Sequence, residues 1–568
     1  MPKRFTWILE LAFLAGLSAL TLAFVWGHQA GDSPTTDETY HLFAGNEYVA
    51  DGTYWLNPEH PPLLKLFAGY AVSKAGSVPP SLGGENTVSP QGHYLRWLYG
   101  NRLPAHELVA LGRTPFPWLA VLLVVLVYGA ARRLFGLAAA PLAAVLVALD
   151  PTLVAHAAYI HTDAGAALTM TATVVAGLLA ARARKLLPWL ITGACLGLAL
   201  ATKFTGILLI PVVLGFPFLE ALTATEKPPR KALFENVLYA ILAVTVGVLL
   251  LALTYTVCLR DMPRERAETS IREFLARRGA SPELLATSAA LCRFSPPLGH
   301  YAGGLLGVQL LSSNGRGAAN YLHGRVSERG FPLYFPVAIA VKWTPALLLC
   351  VALALLLSGR RLFSYETLAL ALPALLHLAV AIPSSFNIGV RHVLPMVPLL
   401  ALAAAGLLVK RLPARPFLLL TAFLSVSAAF SLWRVHPYEI AYFNVLAGGR
   451  GNGAAWLSDS NLDWGQDLAR LDAFLKARGI EEQTTIVTYS GLASDYYSRR
   501  ARVLAPGAPI LPGLYAVSAS VETLGVPFAR MIEGEEAARQ TEELLRRIRS
   551  GGKKRAAIGA SFTLWELP

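Results

Sequence analysis

The sequence is poor in charge. Only 15% of its 568 residues are Asp, Glu, Lys or Arg, where soluble domains carry about a quarter, while 54% are hydrophobic. Length alone would suggest several soluble domains. The shortage of charge beside this apolar excess predicts a polytopic membrane protein instead. Cysteine is scarce as well. Cys195, Cys258, Cys292 and Cys350 form no close-spaced motif, which excludes a zinc or redox spacing. Cys195 and Cys350 fall inside apolar segments as packing residues, while Cys258 and Cys292 could pair on an oxidising side of a membrane. There is no long low-complexity linker and no internal repeat. Acids are outnumbered, giving a net charge of +13. That excess does not call for nucleic acid, because many Lys and Arg sit in short clusters between apolar segments, where membrane topology puts them.

Crossing a bilayer takes about 20 apolar residues. Eleven segments qualify as candidates, starting near residues 6, 114, 134, 164, 187, 205, 236, 334, 365, 392 and 416. The first, Trp7 to Trp26, is too long for a signal peptide and lacks a clear small-residue cleavage site before Asp32, so it reads as a retained helix. With the N-terminus in the cytoplasm, the inside connections hold Arg132-Arg133, Arg182/Arg184/Lys185, Lys227/Arg230/Lys231, Arg360-Arg361 and Lys410-Arg411/Arg415. All are short and basic, as orientation requires. The outside then receives a long first connection (residues 28–113), turns at 161–163 and 201–206, a second long connection (259–333), the segment 384–392, and everything after His436. Residues 1–435 form the membrane domain, and 445–568 a small soluble α/β domain. Its expected strands are Thr484–Ser490, Gly513–Ser520 and Ala556–Leu564; its expected helices are Asp467–Arg478 and Glu535–Arg549.

In this topology the acids, histidines and isolated cations gather on one membrane face: Asp37, Glu38, His41, Glu59, His60, Lys65, His161, Asp163, Lys203, Arg391 and His392. Asp37 and Glu38 lie within a helical turn of His41. They could supply a general base and its charged partner, or simply begin a solvated helix. Pro61-Pro62 stiffens the chain after Glu59-His60, and Glu59, His60 and His41 could bind a divalent cation or form a hydrogen-bonded loop without one. Asp163 could be a helix N-cap. Lys203 and Arg391-His392 could snorkel to headgroups or hold a phosphate.

The pair Asp37-Glu38 after the first helix, followed about twenty residues later by His60-Pro61-Pro62-Leu63-Leu64-Lys65, resembles the GT-C glycosyltransferases of the protein O-mannosyltransferase type. The lipid A aminoarabinose transferases are similar too, with an acid before Pro-Pro matched by Glu59, although they carry Lys where this chain has His60. Both families place an acid at the outside end of a following helix, matched by Asp163, and a Lys matched by Lys203. The resemblance covers residues 6–210 and extends to 435. The tail does not look like the mannosyltransferases' β-trefoil. Its stretch Ser458-Asp459-Ser460-Asn461-Leu462-Asp463-Trp464-Gly465-Gln466-Asp467 looks like that of bacterial carrier-dependent glycosyltransferases, with Asp459 and Asp463 read as helix-start caps.

The resemblance implies a multi-pass protein of a bacterial cytoplasmic membrane. It would transfer a sugar, such as mannose, with inversion from a polyprenyl-phosphate donor to a protein, lipid or glycan acceptor. Asp37 is then the candidate base. Glu38, Glu59, His60 and Asp163 stand with it as catalytic candidates, and Lys65, Lys203, Arg391 and His392 would face the donor phosphate. No cofactor is called for with certainty, and His41, Glu59 and His60 are the candidates to hold a divalent cation. The rival readings are a transporter of lipid-linked sugars, which should place polar groups at mid-membrane, and a non-catalytic scaffold.

Overall fold

The computed structural model describes residues 3–78, 90–313, 319–488, 494–497 and 499–568. In lipid, an apolar segment satisfies its backbone only as a helix, and helices follow the apolar runs. Seven helices among the described residues are long and apolar enough to cross a membrane, or eight if the pair Ala139–Ala148 and Pro151–Ala157 is one span bent by 59°. The bend has a local cause. Pro151 cannot extend the first helix, and Asp150 caps the second by accepting from the Leu153 amide at 2.9 Å. Each of the eleven expected segments falls on an apolar helix. However, Leu186–Thr202, Tyr365–Ala381 and Met396–Arg411 are about a turn shorter than the ~20 residues a span takes. Helix Asp163–Ala183 is central, with 78% of its apolar window buried against 17% for Trp7–Gln29. It packs on Leu186–Thr202, Leu209–Thr223 and Phe116–Phe135.

We label three helices: α1 (Lys3–Gln29), α2 (Thr36–Ala50) and α3 (Leu63–Lys74). The latter two lie in the first long connection and are pressed together through glycine. A Cβ on Gly45 would stand 2.1 Å from the Lys65 carbonyl oxygen, and one on Gly69 would stand 2.0 Å from that of Gly45. Only glycine permits this approach, which seats the 57–65 loop against α2. The second long connection folds into helices Arg264–Ala276, Pro282–Phe294 and Pro296–Ser313.

Strands β1 (Asn320–Leu322) and β2 (Arg325–Ser327) form a small hairpin. The tail holds a five-stranded sheet of β3 (Thr484–Val487), β4 (Arg502–Val503), β5 (Gly513–Ser518), β6 (Lys553–Ile558) and β7 (Phe562–Leu567), in the order β4-β3-β5-β7-β6. β3 pairs in parallel with β4 and β5, and the other pairings are antiparallel. Alternation along β5 sends Ala516 towards Leu471 and Leu475 of helix Leu468–Arg478. Tyr515 and Val517 go to the other face, with Leu544 and Ile548 of helix Glu535–Gly551.

Three expectations change. The strand placed at 556–564 is a hairpin of β6 and β7, with Gly559 turning at φ +60°. The strand placed at 513–520 stops at Ser518, whose hydroxyl caps helix Ala519–Ile532 through the Val521 amide at 3.4 Å. The four thiols are free, so Cys258 and Cys292 do not pair. Residues 489 and 490 of the first expected strand lie outside the described residues.

Candidate active site

The start of α2 separates its two acids. Glu38 is fully buried and turned into the scaffold. Its carboxylate accepts from the Thr35 amide at 2.8 Å, from the Ile160 amide at 3.0 Å, and from Arg113 in a fork at 2.8 and 2.7 Å. A carboxylate three residues into a helix that reaches back to the N-cap amide is the acid half of a capping box. These bonds tie Glu38 to Arg113 and to the Ile160 amide, on the side of α2 away from Asp37's partners.

Asp37 points the other way. Its Oδ2 accepts from Arg391 Nη1 at 3.0 Å and lies 3.2 Å from His161 Nε2, while 30% of its side chain stays exposed. His161 Nδ1 lies 2.5 Å from Asp163 Oδ2, and the other oxygen of Asp163 is held by Lys203 Nζ. Arg391 Nη1 is also 2.5 Å from His161 Nε2 and 3.7 Å from Asp163 Oδ2. Asp163 is the first residue of its helix, not its cap, which is Thr162. Arg391 and His161 therefore meet at Asp37, with Asp163 and Lys203 behind them. Burial alone would raise the Asp37 pKa, but the Arg391 charge holds it well below the usual carboxylate range.

The loop before α3 is organised differently from expectation. Lys65 is fully buried and spends its ammonium on the carbonyls of Asn57 at 2.6 Å and His60 at 2.8 Å, and on the Tyr48 hydroxyl at 3.3 Å. Burial pushes it down to about 7. These three contacts clasp the loop onto α3. Glu59 is ion-paired with Arg278, which itself lies over Phe274 at 4.1 Å.

The loop does bring His60 to the site. The rings of His41, His60 and His161 form a group with centroids 5.0, 5.3 and 6.1 Å apart. Burial, then the neighbouring His60 for His41 and Lys65 for His60, push both imidazoles well below their ordinary value, so they are neutral. Among the described residues no three His, Cys, Asp or Glu side chains converge as a metal site. With Glu59 committed to Arg278, the expected donor set of His41, Glu59 and His60 does not fit a cation. His392 is not joined to the Asp37 network. Its carbonyl accepts from His377 at 2.6 Å, and its Nε2 is buried without a partner.

The tail stretch 458–467 supplies residues that sequence reasoning missed. Trp464 lies under the Arg391 guanidinium at 4.2 Å and meets the His161 ring edge-on at 5.0 Å. Its carbonyl accepts from the Thr36 amide at 3.0 Å, at the start of α2. Asn461 Oδ1 accepts from the Val390 amide at 2.9 Å, and Ser460 donates to the Ile388 carbonyl at 2.5 Å, so the Arg391 turn is stitched to the tail. Asp463 caps helix Ala519–Ile532 from outside through the Ser520 amide at 3.0 Å. Asp459 is no ordinary cap. It sits in the left-handed region at φ +57°, beside this turn.

The family model for dolichyl-phosphate-mannose-protein mannosyltransferase matches residues 111–256. No curated protein matches. Among solved structures, the Archaeoglobus fulgidus oligosaccharyltransferase AglB, in complex with an inhibitory peptide and a dolichol-phosphate, is 14% identical, with 95% of this chain and 72% of that chain covered and a TM-score of 0.53. The S. cerevisiae protein O-mannosyltransferase Pmt1-Pmt2 complex is 21% identical over 44% of this chain and 34% of that chain, with a TM-score of 0.36. ArnT from Cupriavidus metallidurans is 13% identical over 98% of both chains, with a TM-score of 0.33. Multi-pass apolar helices, the matched segment and the AglB-like architecture agree with the resemblance seen in the opening stretch: the chain is a membrane protein of the GT-C glycosyltransferase fold.

Proposed function

We propose that the protein transfers a sugar from a polyprenyl-phosphate donor to an acceptor hydroxyl at the outer face of a bacterial cytoplasmic membrane, with inversion. The observation that carries this reading is Asp37. It is a half-open carboxylate held ionised by Arg391 beside His161, Asp163 and Lys203, at the ends of helices far apart in sequence. The matched family's description and the dolichol-phosphate in the AglB complex support the same donor class.

Asp37 accepts a hydrogen bond from the acceptor hydroxyl. As that oxygen bonds to the anomeric carbon, its proton passes to the carboxylate. The bond from the anomeric carbon to the phosphate oxygen breaks, and its electron pair leaves with the phosphate. That leaving group is already an anion, so it needs cations and no proton donor. Lys203 and Arg391 are the cations at hand. Each is shared with a carboxylate, so each can turn to a phosphate while keeping an anionic partner. Neutral His41 and His60 line the approach as hydrogen-bonding groups without adding charge.

Asp37→Asn tests the reading. Membranes from a deletion strain carrying the variant are supplied with a labelled polyprenyl-phosphate hexose. Loss of transfer is expected, with normal membrane insertion. Transfer at the wild-type rate would remove Asp37 as the base.

A further inference from the structure

The tail places a further acid, Asp459, beside the turn that carries Arg391, outside ion-pair reach of the guanidinium but close enough for its charge to act there together with those of Asp37 and Asp163. The residue directly precedes Ser460 and Asn461, whose side chains bond the Ile388 carbonyl and Val390 amide on either side of Gly389. The stitch is close. A Cβ on Gly389 would stand 2.3 Å from Ser460 Oγ. On its other side, Ser458 is bonded to Thr523 at 2.5 Å, and Lys342 Nζ holds the Asn461 carbonyl at 2.8 Å. Asp459 is therefore fixed in place from both directions.

Nothing in this arrangement uses up its carboxylate. One oxygen accepts from the adjacent Ser460 amide at 2.5 Å. The other has no partner among the described residues, and the residue is only half-buried. Burial pushes the carboxyl up to about 6, Arg391 pulls it down, and Asp37 and Asp463 push it up. Tyr334, the remaining titratable neighbour, donates nothing to it; that hydroxyl accepts from Asn461 at 2.9 Å. Asp and Asn are the residues besides glycine that tolerate a left-handed backbone. The conformation alone could thus be met by Asn or Gly without a charge.

We infer that Asp459 is a substrate-binding carboxylate of the site, which accepts a hydrogen bond from a substrate hydroxyl beside Arg391 and Asp37. The inference rests on the glycosyltransferase reading. It also gives the tail a reason to cover the membrane domain, because the site is incomplete without it.

The test uses the full-length protein with three variants. Asp459→Asn and Asp459→Gly keep the backbone conformation and remove the charge, while Asp459→Glu keeps the charge. Transfer from a polyprenyl-phosphate hexose to acceptors in deletion-strain membranes is measured beside stabilisation by undecaprenyl phosphate, which reports on Arg391 and the phosphate site. The expected result is a loss of transfer of ~10-fold or more in the Asn and Gly variants, the size of a lost hydrogen bond to a charged group. The Glu variant should be partly active, and stabilisation by undecaprenyl phosphate unchanged. Release of free sugar from the donor by water separates two sources of the hydroxyl. If release survives, the hydroxyl is the acceptor's; if it falls with transfer, the hydroxyl is the donor sugar's. Wild-type transfer in both the Asn and the Gly variant would overturn the inference and leave Asp459 as a backbone device. So would loss of undecaprenyl phosphate stabilisation, which would assign the effect to Arg391. Failure of the glycosyltransferase reading itself would show separately, as a wild-type protein that transfers no sugar from the polyprenyl-phosphate hexose, whereas an active Asp37→Asn enzyme would remove only Asp37 as the base.

Discussion

Glu38→Gln should unfold the protein earlier, where its neighbour Asp37→Asn should stop the chemistry. The Glu38 carboxylate takes four hydrogen bonds, two of them from Arg113 and two from backbone amides. Neither member of the ion pair reaches solvent appreciably. Gln keeps one acceptor oxygen but turns the other into a donor facing N–H groups, and it leaves the guanidinium buried without an anion. Breaking one side of a buried pair costs about 3–5 kcal/mol. A half-open carboxylate such as Asp37 has far less to lose. A thiol-reactive dye suits the measurement, because Cys258, Cys292 and Cys350 are buried and free. The Glu38→Gln midpoint should fall by several degrees, while that of Asp37→Asn stays near wild type. Glu38→Gln/Arg113→Met should recover most of the loss, since no buried charge then lacks a partner. A Glu38→Gln protein with a wild-type midpoint would refute the reasoning. Wild-type stability with transfer abolished would put Glu38 among the reacting groups.

Trp464→Ala should lower transfer by roughly 5- to 30-fold, the equivalent of a desolvated cation–π contact of about 1–2 kcal/mol. Trp464→Phe should keep most of the activity, and equal rates for the two would show that Trp464 does not position Arg391. Lys65 gives a pH dependence. Its folded value of about 7 lies below the 10.5 of a free lysine, so the unfolded chain binds more protons between these limits. Stability therefore rises as pH increases from about 7 towards 10.5, and the cost of charging Lys65 is felt in full below 7. Thermal midpoints of wild type and Lys65→Met, measured from pH 6.5 to 9.5, should diverge in favour of wild type as pH rises. Parallel curves would contradict the burial argument.

The membrane domain was legible because lipid leaves the chain one way to satisfy its backbone, and apolar length reports it directly. What the sequence could not decide was which way a side chain faces. Asp37 and Glu38 are adjacent, and both were plausible acids. A helix turns successive residues by about 100°, so one faces the site and the other the scaffold, and only Arg113 and the Ile160 amide reveal which. Lys65 is a related case. In the sequence it is a cation near an outer helix end, and only the structure surrounds it with the carbonyls of Asn57 and His60. Trp464 and Asp459 were illegible as site residues because they arrive from more than 400 residues after Asp37, through backbone hydrogen bonds that leave no trace in residue spacing.

The charges of the assembled site also explain how it can rest without substrate. Lys203 is matched by Asp163, and Arg391 by Asp37, while His41 and His60 stay neutral. In a poorly hydrated place the Lys203–Asp163 and Arg391–Asp37 pairs cost less than any one of these charges would alone. On the proposed reading, a donor phosphate disturbs that balance by adding an anion, and Arg391 and Lys203 must then divide their donors between carboxylates and phosphate. Asp37 is freed from part of its Arg391 contact at that moment, which raises its affinity for a proton. The donor would in this way strengthen the base that the acceptor hydroxyl needs, so the acceptor meets a competent base only when a sugar is in place.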